Sequence, residues 1–186
     1  MAQLPALAPQ LPYENGTRGI VTAAAGSFVP VLVTSLRMLR KAGSKLPVEV
    51  FMESEVVYEK EICEEVLREL GARCFVMSEV LDQVEPRMEV SKYQMKAFAV
   101  LFSSFDEVLL LDADGIAVVA PEELLDGVVY GEKGFVSWPD YVGPLPFRPV
   151  EEGWHWASWR PLERAQAIYH CLFHPPLLCP IISLTK

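Results

Sequence analysis

A mostly parallel, doubly wound α/β sheet is the fold this sequence predicts, and three observations predict it. Strand-like and helix-like patterns alternate from residue 18 to residue 138, the rhythm of parallel strands joined by crossover helices. The run Val108-Leu109-Leu110-Leu111 is apolar without interruption, too short for a helix and suited to a strand covered on both faces. At 186 residues, 51% hydrophobic and 22% charged, the chain is globular, with enough mass for one core and too little for two comfortable domains.

The elements follow in order. Residues 1–17 read as an extended, proline-punctuated leader with no basic start and no sustained apolar core, so neither a secretory signal nor a membrane span is expected. Residues 18–24 form a first strand, and Gly26-Ser27 a tight turn. From Pro30, apolar residues recur at helical spacing through Val33, Leu36 and Leu39; Pro30 suits the first turn and Gly43 the stop. A second strand covers 47–52. A second helix covers 58–70, with Ile62, Val66 and Leu70 on one face and Gly71 at its end, and a third strand covers 72–77. An amphipathic helix over 91–102, capped by Ser91, leads into the strand at 108–111. A short helix after Pro121 and a strand over 134–138 complete a single α/β domain, residues 18–141. Residues 142–186 are rich in proline and tryptophan, show no period and receive no fold assignment.

Composition narrows the function. A net charge of −9 argues against a phosphate-backbone partner, so nucleic acid is excluded. The four cysteines (Cys63, Cys74, Cys171, Cys179) have neither redox nor zinc spacing, and Cys63 and Cys74, in apolar surroundings, are expected as buried thiols. Asn15-Gly16-Thr17 is an N-glycosylation sequon, meaningful only in a chain that enters the secretory pathway.

The chemistry concentrates where the apolar strand ends in Asp112-Ala113-Asp114-Gly115. Burying a lone carboxylate costs several kcal/mol, and the space beyond the carboxyl ends of an open α/β sheet is where ligands sit. Two carboxylates there make a hard-oxygen site for a divalent cation that holds a substrate phosphate; a plain polar turn, for which Asp-Gly is a signal, fits the motif alone equally well. Thr22 and Ala23, at the end of the first strand, are small enough for a nucleotide to pack on the sheet edge, or for a tight helix–strand junction. Lys92 and Lys96 share one helix face. Tyr93, Trp138 and Asp140 are further candidates for a donor pocket, though packing explains the aromatic rings as well. None of His155, His170 and His174 is assigned a role.

Several ordered blocks carry a resemblance. Gly19-Ile-Val-Thr, Pro30-Val-Leu-Val-Thr-Ser-Leu-Arg-Met-Leu-Arg, Leu46-Pro-Val-Glu-Val-Phe, the helix from Ser91 to Phe105, Asp106-Glu-Val-Leu-Leu-Leu-Asp-Ala-Asp and Trp138-Pro-Asp together resemble the fungal Golgi α-1,2-mannosyltransferases. The resemblance implies a GT-A fold, GDP-mannose as the nucleotide-sugar donor, a Mn2+ (or Mg2+) cofactor, a mannoside of a protein-linked glycan as acceptor, and the Golgi lumen as location. It makes Asp114 a direct metal ligand, gives Asp112 a share in metal or sugar contacts, and aims Lys96 at the donor's phosphates. Gly115 stands where family members usually carry Asn, and the tail from about residue 143 does not resemble the acceptor-binding half. A chain without that half would bind donor without transferring sugar, a second expectation. A third, a phosphohydrolase of the haloacid-dehalogenase type with Asp112 as nucleophile, needs the acidic motif on the first strand, whereas three strands are expected to precede it here.

Overall fold

In the computed structural model, the described residues are 13–24, 26–82, 90, 93–137 and 182–185. They fold as one six-stranded sheet with helices on both faces. In chain order the elements are β1 (Glu14–Ala23), α1 (Val29–Lys41), β2 (Val48–Met52), α2 (residues 60–69, π-helical over Ile62–Leu67), β3 (Ala72–Val76), α3 (Met77–Leu81), α4 (Tyr93–Phe102), β4 (Phe105–Leu110), α5 (Glu122–Leu125), α6 (Val128–Lys133), β5 (Phe135–Ser137) and β6 (Ile182–Thr185). The strand order is β3-β2-β1-β4-β6-β5. β1, β2, β3 and β4 are mutually parallel, while β6 runs against both β4 and β5. The expected mostly parallel α/β sheet is what forms, and its parallel core with flanking helices fits a GT-A-type arrangement.

Strand periodicity sorts the core into two layers, because successive side chains point to opposite faces. Ile20, Val50, Leu109 and Leu111 pack with Leu32, Leu36 and Leu39 of α1 and with Cys63 and Leu67 of α2. Val21, Phe51, Val108 and Leu110 pack on the other face with Met77 and Leu81 of α3 and Met95, Phe98 and Ala99 of α4. Both faces are covered, which is why β4 reads as an unbroken apolar run. Helix α1 starts one residue before Pro30, buries Val29, Leu32, Ser35, Leu36 and Leu39, and stops ahead of Gly43.

Four features differ from the sequence reading. First, β1 begins at Glu14, inside the stretch read as a leader, because residues 14–18 pair with the start of β4 across an irregularity in register. Second, α2 is π-helical over Ile62–Leu67 and buries Cys63 and Leu67 most completely, while Ile62 and Leu70 of the expected face pack partly covered against the same layer. Third, Cys63 and Cys74 are not free thiols: they form a disulfide with Cα atoms 5.8 Å apart, within the normal span for such a bond. Packing α2 against β3 closes the eleven-residue separation between them, and linear spacing alone does not reveal that proximity. Fourth, β6 lies inside the sheet, within a segment to which no structure was assigned. Ser91, Lys92, Trp138, Asp140, the three histidines, Cys171 and Cys179 lie outside the described residues. Among the described residues, no helix is long and apolar enough to cross a membrane.

Candidate functional site

The sheet order places the site. β1 leads on one side to β2 and β3, and β4 returns on the other side of β1, so the direction of winding reverses between β1 and β4. At such a switch point the loops leaving the two strands diverge to opposite faces and open a crevice at the carboxyl ends. Two chain segments meet there. Val21 is paired with Leu110 and its carbonyl accepts from the Leu111 N–H, so by register Thr22 and Ala23 of β1 run beside Leu111 and Asp112.

Asp112-Ala113-Asp114-Gly115 is a tight turn, closed by a 2.8 Å hydrogen bond from the Gly115 N–H to the Asp112 carbonyl. Leu111 and Ala113 are buried in the α1-side layer, while Asp112 is half-exposed and Asp114 exposed. The apolar residues of the motif thus anchor it and the two acids are left at the surface. A side chain at Gly115 would bring its Cβ to 3.0 Å from both the Asp112 carbonyl and Leu111 Cδ1, so the turn leaves little room at this position. The buried Ser35 hydroxyl of α1 donates a short hydrogen bond to the Gly115 carbonyl and fastens the turn to the helix. Sequence reasoning passed over Ser35; its signal was a lone hydroxyl on the apolar stripe between Leu32 and Leu39.

Lys96 arrives from the opposite face. It stands on α4, and its ammonium lies 2.5 Å from Asp112 Oδ1 with the two side chains 29% and 38% exposed. The pair is wet enough to exchange partners without the penalty of stranding a buried charge. Asp114 has no ion-pair or hydrogen-bond partner among the described residues. Thr22 differs from the other three. Its side chain is 1% exposed, it shares strand parity with Ile20 on the α1 side, and its hydroxyl lacks a hydrogen-bond partner among the described residues. Ala23 packs with the α4-side layer, on the same face as Lys96. Of the expected donor-side residues, Ala23, Lys96 and Asp112 therefore share one face of the sheet's mouth, and Thr22 lies beneath the other.

The donor set suits a hard divalent cation of a particular kind. Among the described residues no three metal-ligating side chains converge, so from these the turn offers its two carboxylates alone. Two carboxylates at an open edge are instead what an octahedral cation needs when it keeps waters and takes the rest of its shell from substrate phosphates. A surface cleft of about 410 Å3, lined by Tyr58, Phe75, Glu79 and neighbours, lies along β3 and shares no residue with the acidic turn. Nor does the motif open the sheet, since β1, β2 and β3 all precede it, so the arrangement expected of a dehalogenase-type phosphohydrolase is not present.

A mostly parallel sheet with helices on both faces and a switch point between β1 and β4 places the chain in the open α/β class, whose general site is the crevice at the strand ends. The family follows from the sequence: residues 17–145 match the family described as "Mannosyltransferase putative", and the chain belongs to it. It is 40% identical over 155 residues to alpha-1,2-mannosyltransferase MNN23 of Candida albicans, covering 80% of this chain and 26% of that protein. It is 33% identical over 140 residues to alpha-1,2-mannosyltransferase MNN2 of Saccharomyces cerevisiae, covering 73% and 22% respectively. The chain thus spans about a quarter of the length of the curated relatives it matches. The solved structure of the glycosyltransferase GlyE of Streptococcus pneumoniae TIGR4 aligns over 65% of this chain and 29% of its own, with 19% identity and a TM-score of 0.47.

Proposed function

We propose that this chain is the donor-binding part of an α-1,2-mannosyltransferase that moves mannose from GDP-mannose to a mannoside of a protein-linked glycan in the Golgi lumen. The observation that carries the proposal is the acidic turn at the β1–β4 switch point with Lys96 facing it across the crevice. Asp114, exposed and unpartnered among the described residues, and Asp112 are the residues that would hold a Mn2+ or Mg2+ ion. Such an ion, when bound, neutralises the charge that develops on the departing nucleoside diphosphate.

The chain's own residues do the rest. Lys96 holds Asp112 in place, and its ammonium is placed to turn to a phosphate oxygen when a diphosphate enters, as a compact point charge on a flexible stem. Ala23 leaves backbone accessible at the strand end, and the Ser35–Gly115 bond keeps the acidic turn from splaying as charge accumulates. The disulfide between Cys63 and Cys74 supports a lumenal location, since such bonds persist in oxidising compartments. A second reading is donor binding without transfer by the residues 17–145 that match the family.

Titration calorimetry with GDP and Mn2+ tests the proposal, followed by a transfer assay with a mannoside acceptor. Metal-dependent GDP binding is expected, and Asp114→Asn is expected to weaken it at least tenfold while moving stability by no more than about 0.5 kcal/mol, the usual range for an exposed substitution. Equal GDP affinity with and without metal sinks the metal site. GDP binding without transfer of mannose from GDP-mannose to the acceptor favours the second reading.

A further inference from the structure

The end of β1 remote from the acidic turn carries a motif that sugar transfer does not use. Asn15-Gly16-Thr17 is a sequon, Asn15 is the only asparagine in the 186 residues, and it lies exposed on the described strand. The disulfide between Cys63 and Cys74 is an independent observation that the fold matures where thiols are oxidised, the same kind of compartment in which such tripeptides are modified. We infer that Asn15 is an N-glycosylation site and that it is modified while the chain is being made, before β1 pairs with β4. The inference does not depend on what the acidic turn binds.

The reason for the timing is geometric. In the folded chain the Thr17 hydroxyl donates to the Glu14 carbonyl at 2.5 Å and accepts from the Asp106 N–H at 3.2 Å, while the Gly16 N–H donates to Asp106 Oδ2 at 2.9 Å. The hydroxyl that defines the sequon is therefore occupied once β4 is in place, and the Gly16 backbone is locked at φ 76°, where only glycine is at ease. Asp106 follows Gly16 by ninety residues. At about 5–20 residues per second of synthesis, the sequon stays without that partner for roughly 5–20 s. During that interval the Asn15 side-chain nitrogen displaces the pyrophosphate of a lipid-linked oligosaccharide: a bond forms from nitrogen to the anomeric carbon, the anomeric carbon–oxygen bond breaks, lipid pyrophosphate leaves and the amide loses one proton. The cysteines close by exchange with a lumenal protein disulfide, which takes up both electrons. Position raises no conflict with function. Phe105, the β4 partner of Glu14, is seven residues from Asp112, or about 23 Å at strand rise, so a glycan grows from the end of the sheet opposite the acidic turn.

The test is to translate the full chain, fused to a cleavable signal peptide, with microsomes present from the start, or to give the folded chain to detergent-opened microsomes that still hold the lipid-linked donor, and to analyse the peptide containing Asn15. Glycosylation is expected in the first case and not in the second, with Cys63 and Cys74 joined. Asn15→Gln is expected to abolish the endoglycosidase-sensitive mobility shift without changing the melting temperature, and Thr17→Ser to retain a shift because it keeps both the sequon and the hydroxyl. An unmodified Asn15 in chains whose disulfide shows that they reached the lumen overturns the site. Equal modification of the folded chain overturns the timing, and free thiols on Cys63 and Cys74 in lumenal chains overturn the supporting argument and the inference with it.

Discussion

The two ends of the β1–β4 pair treat their polar groups in opposite ways. At the amino end Gly16, Thr17 and Arg18 all have partners within the chain: Asp106 receives the Gly16 N–H, Thr17 bridges Glu14 and Asp106, and Arg18 reaches both Glu107 and, at 2.5 Å, Asp126. The Arg18 guanidinium is held above its ordinary pKa, chiefly by the hydrogen bond to Asp126. At the carboxyl end Asp114 has no such partner among the described residues, Thr22 has an orphan hydroxyl, and Asp112 is shared with a half-exposed lysine. A closed network holds strands in register. An open one stores unspent hydrogen-bonding capacity, and that is what a charged ligand requires.

Substitutions at the two ends should separate along the same line. The largest loss of stability is expected from Gly19→Ala, because a Cβ there would sit 2.1 Å from the Phe105 ring that covers β1. Overpacking of that kind costs about 3 kcal/mol, readable as a lowered urea midpoint. If Gly19→Ala melts like the parent, the packing of Phe105 on β1 is not as described. Next comes Ser35→Ala, which removes the bond to Gly115 and should cost about 1 kcal/mol, with metal-dependent GDP binding weakened more than the stability change explains. Loss of stability alone would make Ser35 a packing residue and nothing more.

A pH effect ranks third. Burial alone would raise the Glu122 carboxyl, but hydrogen bonds from the Lys45 N–H and the Ser44 hydroxyl outweigh it and hold the pKa below the ordinary carboxylate value. A depressed folded pKa means stability that is fully present above the unfolded value and is lost as pH falls through the folded one. Unfolding followed from neutral pH to acid should therefore show a steeper loss for the parent than for Glu122→Gln, which has no such proton to take up. Smallest of all is Thr22→Val. Removing an unsatisfied buried hydroxyl should leave stability unchanged or raise it by up to about 1 kcal/mol. If GDP binding falls at the same time, the hydroxyl faces the donor and the contrast between the two ends sharpens.

Much of this was legible in the sequence for local reasons. The spacing of Leu36 and Leu39 after Pro30 marked α1, and the run of residues 108–111 marked a doubly covered strand; both follow from periodicity, which survives in one dimension. The acid pair at the strand end was equally visible. Proximity across the chain was not. Nothing in the order of residues says that Cys63 meets Cys74, that Ser35 grips Gly115 eighty residues later, or that Glu14 starts a strand, since each depends on which elements pack together.

What the sequence determined by itself was the alternation of β1 to β4 with α1, α2 and α4, the acidic motif and the family, because propensity, pattern and ordered motifs are properties of neighbouring residues. What only the tertiary structure decided was the mouth between β1 and β4, the lysine that faces Asp112 there, and the separation of Thr22 onto the other face. Those facts come from strand order and pleat parity, which exist only after distant segments have paired.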